Sequence, residues 1–538
     1  MKRILVIGGY GGFGARLSRR LAGAGQLVLV AGRSADKAAS FAATLSGAEP
    51  VVADRDGELA PVFAVCRPDL VIDAAGPFQG SDFRVPRACI AARIPYLDLA
   101  DARDFVTGIG ALDGAAKAAG VAVVSGASSA PALTGAVVRR LGEGLDRVDR
   151  VEIALSAANR ATAGASVARA ILSYIGRPVR VWRGRRWSHG HGWQELRRED
   201  MRVGTVRLGR RLVGLIDVPD LALLPELLPG RPTVVFRAGN DLAFQMLFLW
   251  LASWPVRWGW LRSLSGGAPL LLALQRLTLW MGGDRSGMRI ILTGRRGDEA
   301  LERQWTVIAE QDEGAEIPTL AAALLAERVL LPGACDASRL LTLADYEQAF
   351  DGLALSHEIV ERTLPPPLYA RIMGAHFDRL PPSVRAVHDI QGDAGAAGEG
   401  TVRRGRNPLA RLLGAIMRFP PAGPHPLHVA FAERGGRERW ARDFGGHFFA
   451  STLSERKGLA VERFGPVRFG FALEPATDGL NMALKRWSVF GLPLPRFLAP
   501  RIAAREWEAD GRFHFDVAVA MPIVGDVVHY SGWLKPVE

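Results

Sequence analysis

The feature that most constrains this 538-residue chain is a short apolar strand, Arg3–Ile7, that runs directly into a glycine-rich turn. Gly9, Gly11 and Gly14 have the spacing G-x-G-x-x-G, and Ala15–Ala24 has the pattern of a helix. In this motif the first glycine permits a tight turn, the second lets the backbone approach a pyrophosphate, and the third allows close packing of helix on strand. The strand before the motif and the helix after it predict a dinucleotide-binding unit rather than a simple tight turn.

The end of the second strand distinguishes the two common dinucleotides. Leu27–Ala31 is an apolar run suited to a buried parallel strand. An NAD site usually places Asp or Glu near this strand end, to hold the ribose 2′-hydroxyl. This chain has Arg33 and Ser34 there instead, and a guanidinium can bind a 2′-phosphate through two hydrogen bonds. The position therefore favours NADP, and the alternative is that Arg33 is an ordinary solvated charge.

The loops at the carboxyl ends of the strands complete the predicted cofactor site, because ligands of open α/β sheets bind there. We expect contacts from the glycine turn, from the end of the second strand, and from the loops that follow the third and fourth strands. The predicted contacts are Gly8, Gly9, Gly11, Gly12, Phe13, Gly14, Arg33, Ser34, Asp54, Ala75, Gly76 and Pro77.

The chain divides by pattern into three regions. Residues 1–130 alternate strands with helices, which predicts an α/β fold with a Rossmann-type doubly wound parallel sheet. Residues 131–363 contain alternating half-buried strands and fewer helices, which predicts an α+β substrate or dimerisation domain. A proline-rich linker, Thr363–Pro367, precedes residues 364–538, where short strands and turn signals predict a mostly antiparallel curved sheet or barrel.

The composition indicates the cellular compartment in which the protein works and the kind of partner that it binds. The three cysteines, Cys66, Cys89 and Cys335, form no C-x-x-C motif, so we expect a reducing cytoplasm, no disulfide framework and no metal site. No secretory signal is recognisable at the N-terminus. The net charge of +12 suits an anionic partner such as NADP or acidic lipid, although a codon bias toward arginine explains it equally well. No nucleic-acid module is evident, so nucleic acid is not expected.

One segment of the middle region, Leu242–Met281, is unusually apolar. It contains two apolar runs separated by Pro255 and arginines, and neither run reaches the ~18–20 residues needed to span a bilayer. Trp and Arg beside an apolar run are typical of a helix that lies in the membrane interface. The segment therefore predicts either peripheral membrane contact or a buried helical hairpin that roofs an apolar pocket.

Several short motifs resemble the saccharopine dehydrogenase-like oxidoreductases. They are Gly9–Gly14, Ala31–Arg33, Ala75–Phe78 and Tyr96–Leu99, with Phe105. The resemblance implies an NADP-dependent oxidoreductase. The family usually has Gly-Glu where this chain has Ala100-Asp101, which argues against a saccharopine-type amino-acid substrate. The apolar segment Leu242–Met281 makes the membrane- or lipid-linked branch of the family the more similar one.

The last region resembles an uncharacterised domain family that often follows such modules. Trp440–Gly445 and Tyr530–Leu534 carry that resemblance. It implies no activity, so the role of residues 364–538 stays open.

No catalytic signature is evident, although hydride transfer often needs a placed acid or base. Tyr96, Asp98 and Asp101 are the candidates near the expected nicotinamide end, and a structural role is the alternative for Asp98. His189 and His191 have the i, i+2 spacing, which is weak as a metal motif.

Two functional hypotheses follow from these observations. The first is an NADP-dependent oxidoreductase that acts on a hydrophobic or lipid-derived carbonyl or enoyl substrate. It would be a cytoplasmic protein that contacts the membrane peripherally and forms a homodimer. The second is a non-catalytic NADP-binding protein that senses redox state or scaffolds a partner. The missing acid or base favours the second hypothesis, and the apolar segment favours the first.

Overall fold

A computed structural model describes residues 1–160 and 165–537 of the chain. Its first region alternates strands with helices. The strands are β1 (Arg3–Ile7), β2 (Leu27–Gly32), β3 (Ala48–Val52), β4 (Leu70–Asp73), β5 (Tyr96–Asp98) and β6 (Ala122–Ser125). The helices are α1 (Gly12–Gly23), α2 (Ala35–Ala42), α3 (Ala60–Cys66), α4 (Arg84–Ala91), α5 (Arg103–Gly108), α6 (Asp113–Ala119) and α7 (Thr134–Gly142).

The middle region mixes long strands with six helices among its described residues. The strands are β7 (Arg147–Ala157), β8 (Pro178–Arg183), β9 (Arg186–His191), β10 (Arg197–Val203), β11 (Val206–Leu215), β12 (Thr233–Asn240), β13 (Ser286–Arg296), β14 (Glu299–Ala309), β15 (Gly333–Asp336) and β16 (Leu355–Thr363). The helices are α8 (Ala165–Tyr174), α9 (Asp220–Leu227), α10 (Ala243–Arg257), α11 (Ala268–Thr278), α12 (Ile317–Glu327) and α13 (Leu343–Phe350).

The last region is dominated by strands. They are β17 (Asp393–Arg404), β18 (Gly423–Arg434), β19 (Arg437–Phe444), β20 (His447–Arg456), β21 (Leu459–Phe464), β22 (Val467–Ala476), β23 (Gly479–Val489), β24 (Leu492–Pro493), β25 (Arg501–Ala509), β26 (Arg512–Met521) and β27 (Gly525–Pro536). Its helices are α14 (Leu368–Met373), α15 (Pro382–His388) and α16 (Pro408–Ile416).

The first sheet is wholly parallel and has the strand order β15-β6-β5-β4-β1-β2-β3. The predicted Rossmann-type doubly wound sheet is therefore confirmed. The strand order reverses at β1, which lies between β4 and β2, and ligands of such sheets bind at this switch point. The seventh strand, β15, comes from far beyond residue 130, and the sequence patterns did not reveal it.

The second sheet is mixed, with the order β10-β11-β12-β7-β13-β14-β16. Only the pair β12–β7 is parallel. Strands β10 and β11 of this sheet form a hairpin, and β8 and β9 form a separate two-stranded hairpin. Gly184 and Arg185 both have positive φ, of 58° and 63°, so the chain reverses there in a two-residue turn.

The last region is a closed antiparallel barrel. Ten strands pair in the order β22-β21-β20-β19-β18-β17-β27-β26-β25-β23, and β22 pairs with β23 to close the ring. The predicted β-rich fold is confirmed, and closure leaves no edge strand in the ring. Trp440, Phe444, Phe513 and Phe515 are buried in its core. Strand β17 was not predicted, because its alanines and glycines have low strand propensity, and pairing on both sides holds it in the barrel.

Buried ion pairs join the barrel to the second sheet. Arg434 lies 2.7 Å from Glu152 and 2.8 Å from Asp393, and Arg197 and Arg150 contact the same two carboxylates at 3.0 and 3.4 Å. Burial alone would raise the pKa of Glu152, but the arginines, Arg434 foremost, hold it well below its usual range. Part of the excess of arginine therefore serves this interface.

Helices α10 and α11 lie on the surface of the middle region. Met246, Leu249, Ser253 and Val256 form the buried stripe of α10, at helical spacing. The other sides of the two helices and their connection are exposed, so the segment is not a fully buried hairpin. Within the described part of the chain, none of the helices is both long and apolar enough to cross a bilayer.

Candidate functional site

The glycine turn after β1 is compressed against its own helix. Gly8 has a φ of +76°, and the N–H groups of Gly8 and Gly9 donate to the carbonyl of Ala31 at 2.8 and 3.0 Å. A Cβ added to Gly14 would lie only 2.1 Å from the carbonyl oxygen of Gly8. Only glycine permits this approach, so α1 begins directly beside the end of β1, as the motif requires.

Gly11 leaves open the space that a pyrophosphate would take. Its backbone is extended, and an added Cβ would meet, among the described residues, only the carbonyl oxygen of Gly8, at 3.1 Å. Helix α1 starts at Gly12 with no side-chain cap from the described chain. The first N–H groups of a helix bind anions well, both as donors and through the helix dipole. The turn therefore fits the phosphates of a dinucleotide.

The end of β2 carries a free arginine beside a tyrosine that sequence reasoning overlooked. The ring of Tyr10 lies across Gly32, where a Cβ would be 2.3 Å from the ring, and its hydroxyl accepts a hydrogen bond from the N–H of Ser34 at 3.1 Å. The Ser34 hydroxyl caps α2 by accepting from Lys37. Arg33 is exposed and makes no ion pair with any described carboxylate, so its guanidinium is available to a 2′-phosphate.

The loop after β4 lies against the glycine turn. A Cβ added to Gly8 would be 3.0 Å from the Cα of Ala75, so the predicted contacts Ala75, Gly76 and Pro77 lie beside the phosphate cradle. Asp54 follows β3 and is exposed, and its carboxylate accepts a hydrogen bond from the backbone N–H of Asp56 at 3.1 Å. Because β4, β1, β2 and β3 are neighbours in one parallel sheet, the loops that carry the predicted cofactor residues all leave its carboxyl edge, beside the crevice that such sheets form at their switch point.

Asp73 and Arg55 hold that loop in place. The Asp73 carboxylate is buried and accepts from the N–H of Ala75 at 3.0 Å and from Nε of Arg55 at 2.7 Å. Burial raises the pKa of Asp73, and the charge of Arg55 opposes that rise. The Arg55 guanidinium also lies over the Phe78 ring, 4.6 Å from its centre. Sequence reasoning missed Arg55, because its partner is eighteen residues away.

Asp98 is a fully buried carboxylate that ties two loops together. One of its oxygens accepts from the N–H groups of Gly126 and Ala100 at 2.7 and 2.9 Å and from the Ser125 hydroxyl at 3.0 Å. Its other oxygen has no hydrogen-bond partner among the described residues. Burial raises the pKa of Asp98 to about 7 despite these three donors. This geometry makes Asp98 a positioning residue for the crevice.

Tyr96 and Asp101 differ sharply in their exposure to solvent. Tyr96 is fully buried, and its hydroxyl has no partner in the described chain. Asp101 is exposed at the mouth of the crevice, and its carboxylate accepts from Nε2 of Gln79 at 3.1 Å. Of the three predicted catalytic candidates, Asp101 alone can be reached by a ligand from solvent.

The middle region faces the same mouth through α8. Tyr174 ends this helix, and burial together with the charges of Asp101 and Asp217 raises its pKa. Its phenol therefore stays protonated and can donate a hydrogen bond. Arg103 links the two regions here, because it pairs with Asp217 at 2.5 Å and donates to the carbonyl of Arg180 at 2.7 Å. Sequence reasoning missed Tyr174 and Asp217, since only the fold brings them near Asp101.

The histidines do not form a metal centre in the part of the chain that the structure describes. His189 and His191 lie on β9, and no group of three or more His, Cys, Asp or Glu side chains comes together among residues 1–160 and 165–537. Burial, with the nearby charge of Arg257, lowers the pKa of His191. His191 is therefore mostly neutral near pH 7.

Two family models match separate parts of the chain. Residues 4–124 match the saccharopine dehydrogenase NADP binding domain, and residues 380–534 match a domain of unknown function, DUF4166. The first match covers the parallel sheet and the glycine turn, so the first region resembles a saccharopine dehydrogenase-type NADP-binding domain. NADP is the cofactor that this family binds. The second match covers the barrel.

Two solved structures show a distant likeness to the chain. Apo saccharopine dehydrogenase (L-Glu forming) from Saccharomyces cerevisiae is 15% identical, with a TM-score of 0.46, over 67% of this chain and 100% of that one. Amine dehydrogenase from Mycobacterium smegmatis is 14% identical, with a TM-score of 0.28, over 44% of this chain and 78% of that one. No curated protein matches the chain.

Gly11→Val should abolish dinucleotide binding and leave the fold largely intact. The valine side chain would occupy the open space that the pyrophosphate needs, whereas the backbone conformation at Gly11 suits any residue. Fluorescence titration with NADPH measures binding, and circular dichroism checks the fold. Gly23→Val, at the far end of the same helix and also in open space, is the control and should bind as the wild type does. Unchanged binding by Gly11→Val would show that the turn holds no phosphate.

Asp98→Asn should gain stability relative to the wild type as pH rises. The pKa of Asp98 is about 7 in the folded protein, which is above its value in the unfolded chain. The unfolded chain therefore loses this proton first, and the free energy of unfolding of the wild type falls as pH rises from ~4 to 7. An amide does not ionise, so the difference in free energy of unfolding should shift toward the variant by about 2 kcal/mol between pH 5 and pH 8. Urea unfolding at each pH measures this difference.

The exposed Asp104→Asn, on α5 of the same domain, is the matched control for replacing a carboxylate by an amide in that series. If the Asp98→Asn and wild-type profiles run parallel, Asp98 does not carry a raised pKa.

Proposed function

We propose that this protein is an NADP-dependent oxidoreductase that acts on a hydrophobic carbonyl or enoyl substrate. The observation that carries the proposal is the crevice at the end of β1, where an open glycine cradle and an exposed, unpaired Arg33 lie together. Bound NADP would supply hydride transfer, and the protein would supply placement and a proton. The family match supports the cofactor class, and the substrate class rests on the apolar surface discussed below.

The residues around the crevice have distinct parts in this proposal. The glycine turn would hold the pyrophosphate, Arg33 and Ser34 the 2′-phosphate, and the loop after β4 the sugar nearest the reacting ring. Asp98 and Asp73 would hold the loops in position from below. Asp101 and Tyr174, which face the mouth of the crevice, are the groups placed to exchange or orient a proton on the substrate.

The rival hypothesis is a non-catalytic NADP sensor or scaffold, and one observation favours it. Two of the three predicted catalytic candidates, Tyr96 and Asp98, are enclosed with no exposed surface. Absorbance at 340 nm separates the two hypotheses when the protein is mixed with NADPH and long-chain enals or enoyl thioesters. Oxidation of NADPH that Asp101→Asn or Tyr174→Phe slows would support the enzyme, whereas binding of NADPH without turnover on either substrate class would support the sensor.

Arg33→Asp should reverse the cofactor preference. The wild type should bind NADPH more tightly than NADH, because the guanidinium pairs with the 2′-phosphate, and losing that contact should cost about 1.5–3 kcal/mol. The variant should weaken NADPH binding and leave NADH binding unchanged or improved. Titration of both cofactors measures this. Arg87→Asp, an exposed arginine on α4 of the same domain, is the control for the change in charge. Equal affinity of the wild type for NADPH and NADH would refute the preference.

The surface of α10 and α11 supports a peripheral contact with anionic membranes. Several large apolar side chains on this surface are mostly exposed to solvent. Trp260 is 73% exposed, Leu277 71% and Trp280 78%. Residues 242–281 contain three arginines and no acidic residue. Tryptophan and arginine beside apolar helices suit the interface of a bilayer. A protein held there could take its substrate directly from the lipid phase.

Replacing Trp260, Leu277 and Trp280 together by alanine should weaken vesicle binding. The wild type should float with phosphatidylglycerol vesicles at low salt and dissociate as salt rises, because the arginines act through a screened attraction. The matched control replaces Val65, Val329 and Leu331, which are at least 83% exposed elsewhere, by alanine. If the wild type stays at the bottom of the gradient, α10 and α11 have no affinity for lipid.

A further inference from the structure

The two ends of the C-terminal barrel differ sharply in chemistry. The strand register places five connections at one end: residues 405–422, 445–446, 465–466, 490–500 and 522–524. We call this end the apolar rim. The opposite end carries the tight turns at 435–436, 457–458, 477–478 and 510–511. Those turns are made of glycine, lysine, threonine and aspartate, as ordinary solvated hairpins are.

Large apolar side chains crowd the apolar rim and face solvent. They come from four separate parts of the chain, and Phe490, Phe497 and Ile523 are 84%, 77% and 97% exposed. Phe448 and Leu492 are exposed at the same end. Single exposed apolar residues are normal, but a convergence from several connections on one end marks an interaction surface. The proximity follows from strand register and not from sequence, where Phe448 and Ile523 are 75 positions apart.

Helix α16 at this end is oriented with its apolar side outward. Leu409, Leu412 and Ile416 recur at helical spacing and are all more than half exposed. The buried side consists of Ala410 and Gly414, and these small residues let the helix lie close to the barrel. A Cβ added to Gly414 would overlap the Arg404 guanidinium. A helix that packs by its small residues and exposes leucine and isoleucine is built to bury that outer stripe against something else.

The charges around the apolar rim indicate the kind of partner that it binds. The five connections of the apolar rim contain no Asp or Glu, whereas 405–422 alone contains Arg406, Arg411 and Arg418. The opposite end has acidic residues in two of its turns, Asp478 and Asp510. Asp526, near the start of β27, is an exposed acidic residue at this end. The connections themselves carry apolar side chains and arginine without acidic residues, which complements the acyl chains and anionic headgroups of a lipid surface. A polar partner protein would leave these apolar groups poorly matched.

We propose that the apolar rim is a membrane-docking surface that inserts Phe490, Phe497, Ile523 and the outer stripe of α16 into the interface of an anionic bilayer. This contact is independent of the proposed oxidoreductase activity and of the surface formed by α10 and α11. It assigns the barrel a role in localisation. Each inserted side chain contributes to the free energy of membrane binding because its apolar surface leaves water. The arginines add an attraction to the anionic headgroups, which salt screens.

The test replaces Phe490, Phe497 and Ile523 together by alanine in the full chain. Vesicles of phosphatidylglycerol and phosphatidylcholine serve as the probe, and binding is measured by co-sedimentation. The variant should bind at least about tenfold more weakly than the wild type, since each truncation removes several buried carbons. The alanine variant of Val65, Val329 and Leu331 is the control and should bind as the wild type does. Wild-type affinity in the rim variant would overturn the proposal.

Hydrogen exchange with mass spectrometry locates the contact directly, even if a variant folds poorly. On addition of anionic vesicles to the wild type, peptides covering 405–422 and 490–500 should gain protection, and the turns at 477–478 and 510–511 should not. Protection confined to α10 and α11 would overturn the rim proposal and leave the other membrane contact standing. Protection of the rim that appears without vesicles as protein concentration rises would also overturn it, because the surface would then bind a second copy of the chain.

Discussion

The close approach of Gly8 and Gly14 is the constraint on which the candidate site depends. Because an added Cβ at Gly14 would lie 2.1 Å from the Gly8 carbonyl, α1 can start only with glycine at that position. That contact aims the first N–H groups of α1 at the crevice and brings Gly8 against the loop after β4. Buried carboxylates then hold the surrounding loops. Asp73 supports one loop through Arg55, and Asp98 ties β5 to β6 through three donors.

Arginine has two different uses in this chain. Where it is buried it neutralises carboxylates, as at Glu152 and Asp393, and it joins the barrel to the second sheet. Breaking such a buried pair leaves an uncompensated charge, so these arginines are structural. Where arginine is exposed without a partner, as at Arg33, it is available to an anionic ligand. Net charge alone cannot separate these uses, because the difference lies in burial and in partners distant along the chain.

The middle and last regions share one surface feature, which is exposed apolar side chains beside arginine. The helices α10 and α11 and the connections of the apolar rim both combine large apolar side chains with arginine and lack acidic residues. A folded protein exposes such surfaces at a cost in hydration free energy unless a partner covers them. Two separate contacts with the same kind of surface would bind more tightly than either contact alone, because the second forms at high effective concentration.

The sequence by itself determined the features whose physics is local. The glycine spacing, the apolar strands beside it and Arg33 in place of an acidic residue predicted a Rossmann-type domain and its cofactor class, since short-range backbone geometry dictates these features. Alternation and turn residues predicted a β-rich last region. Tertiary structure alone decided the rest. The strand β15, the partners Arg55 and Tyr174, closure of the barrel and the gathering of Phe490, Phe497 and Ile523 at one end depend on contacts between distant residues, which no local pattern records.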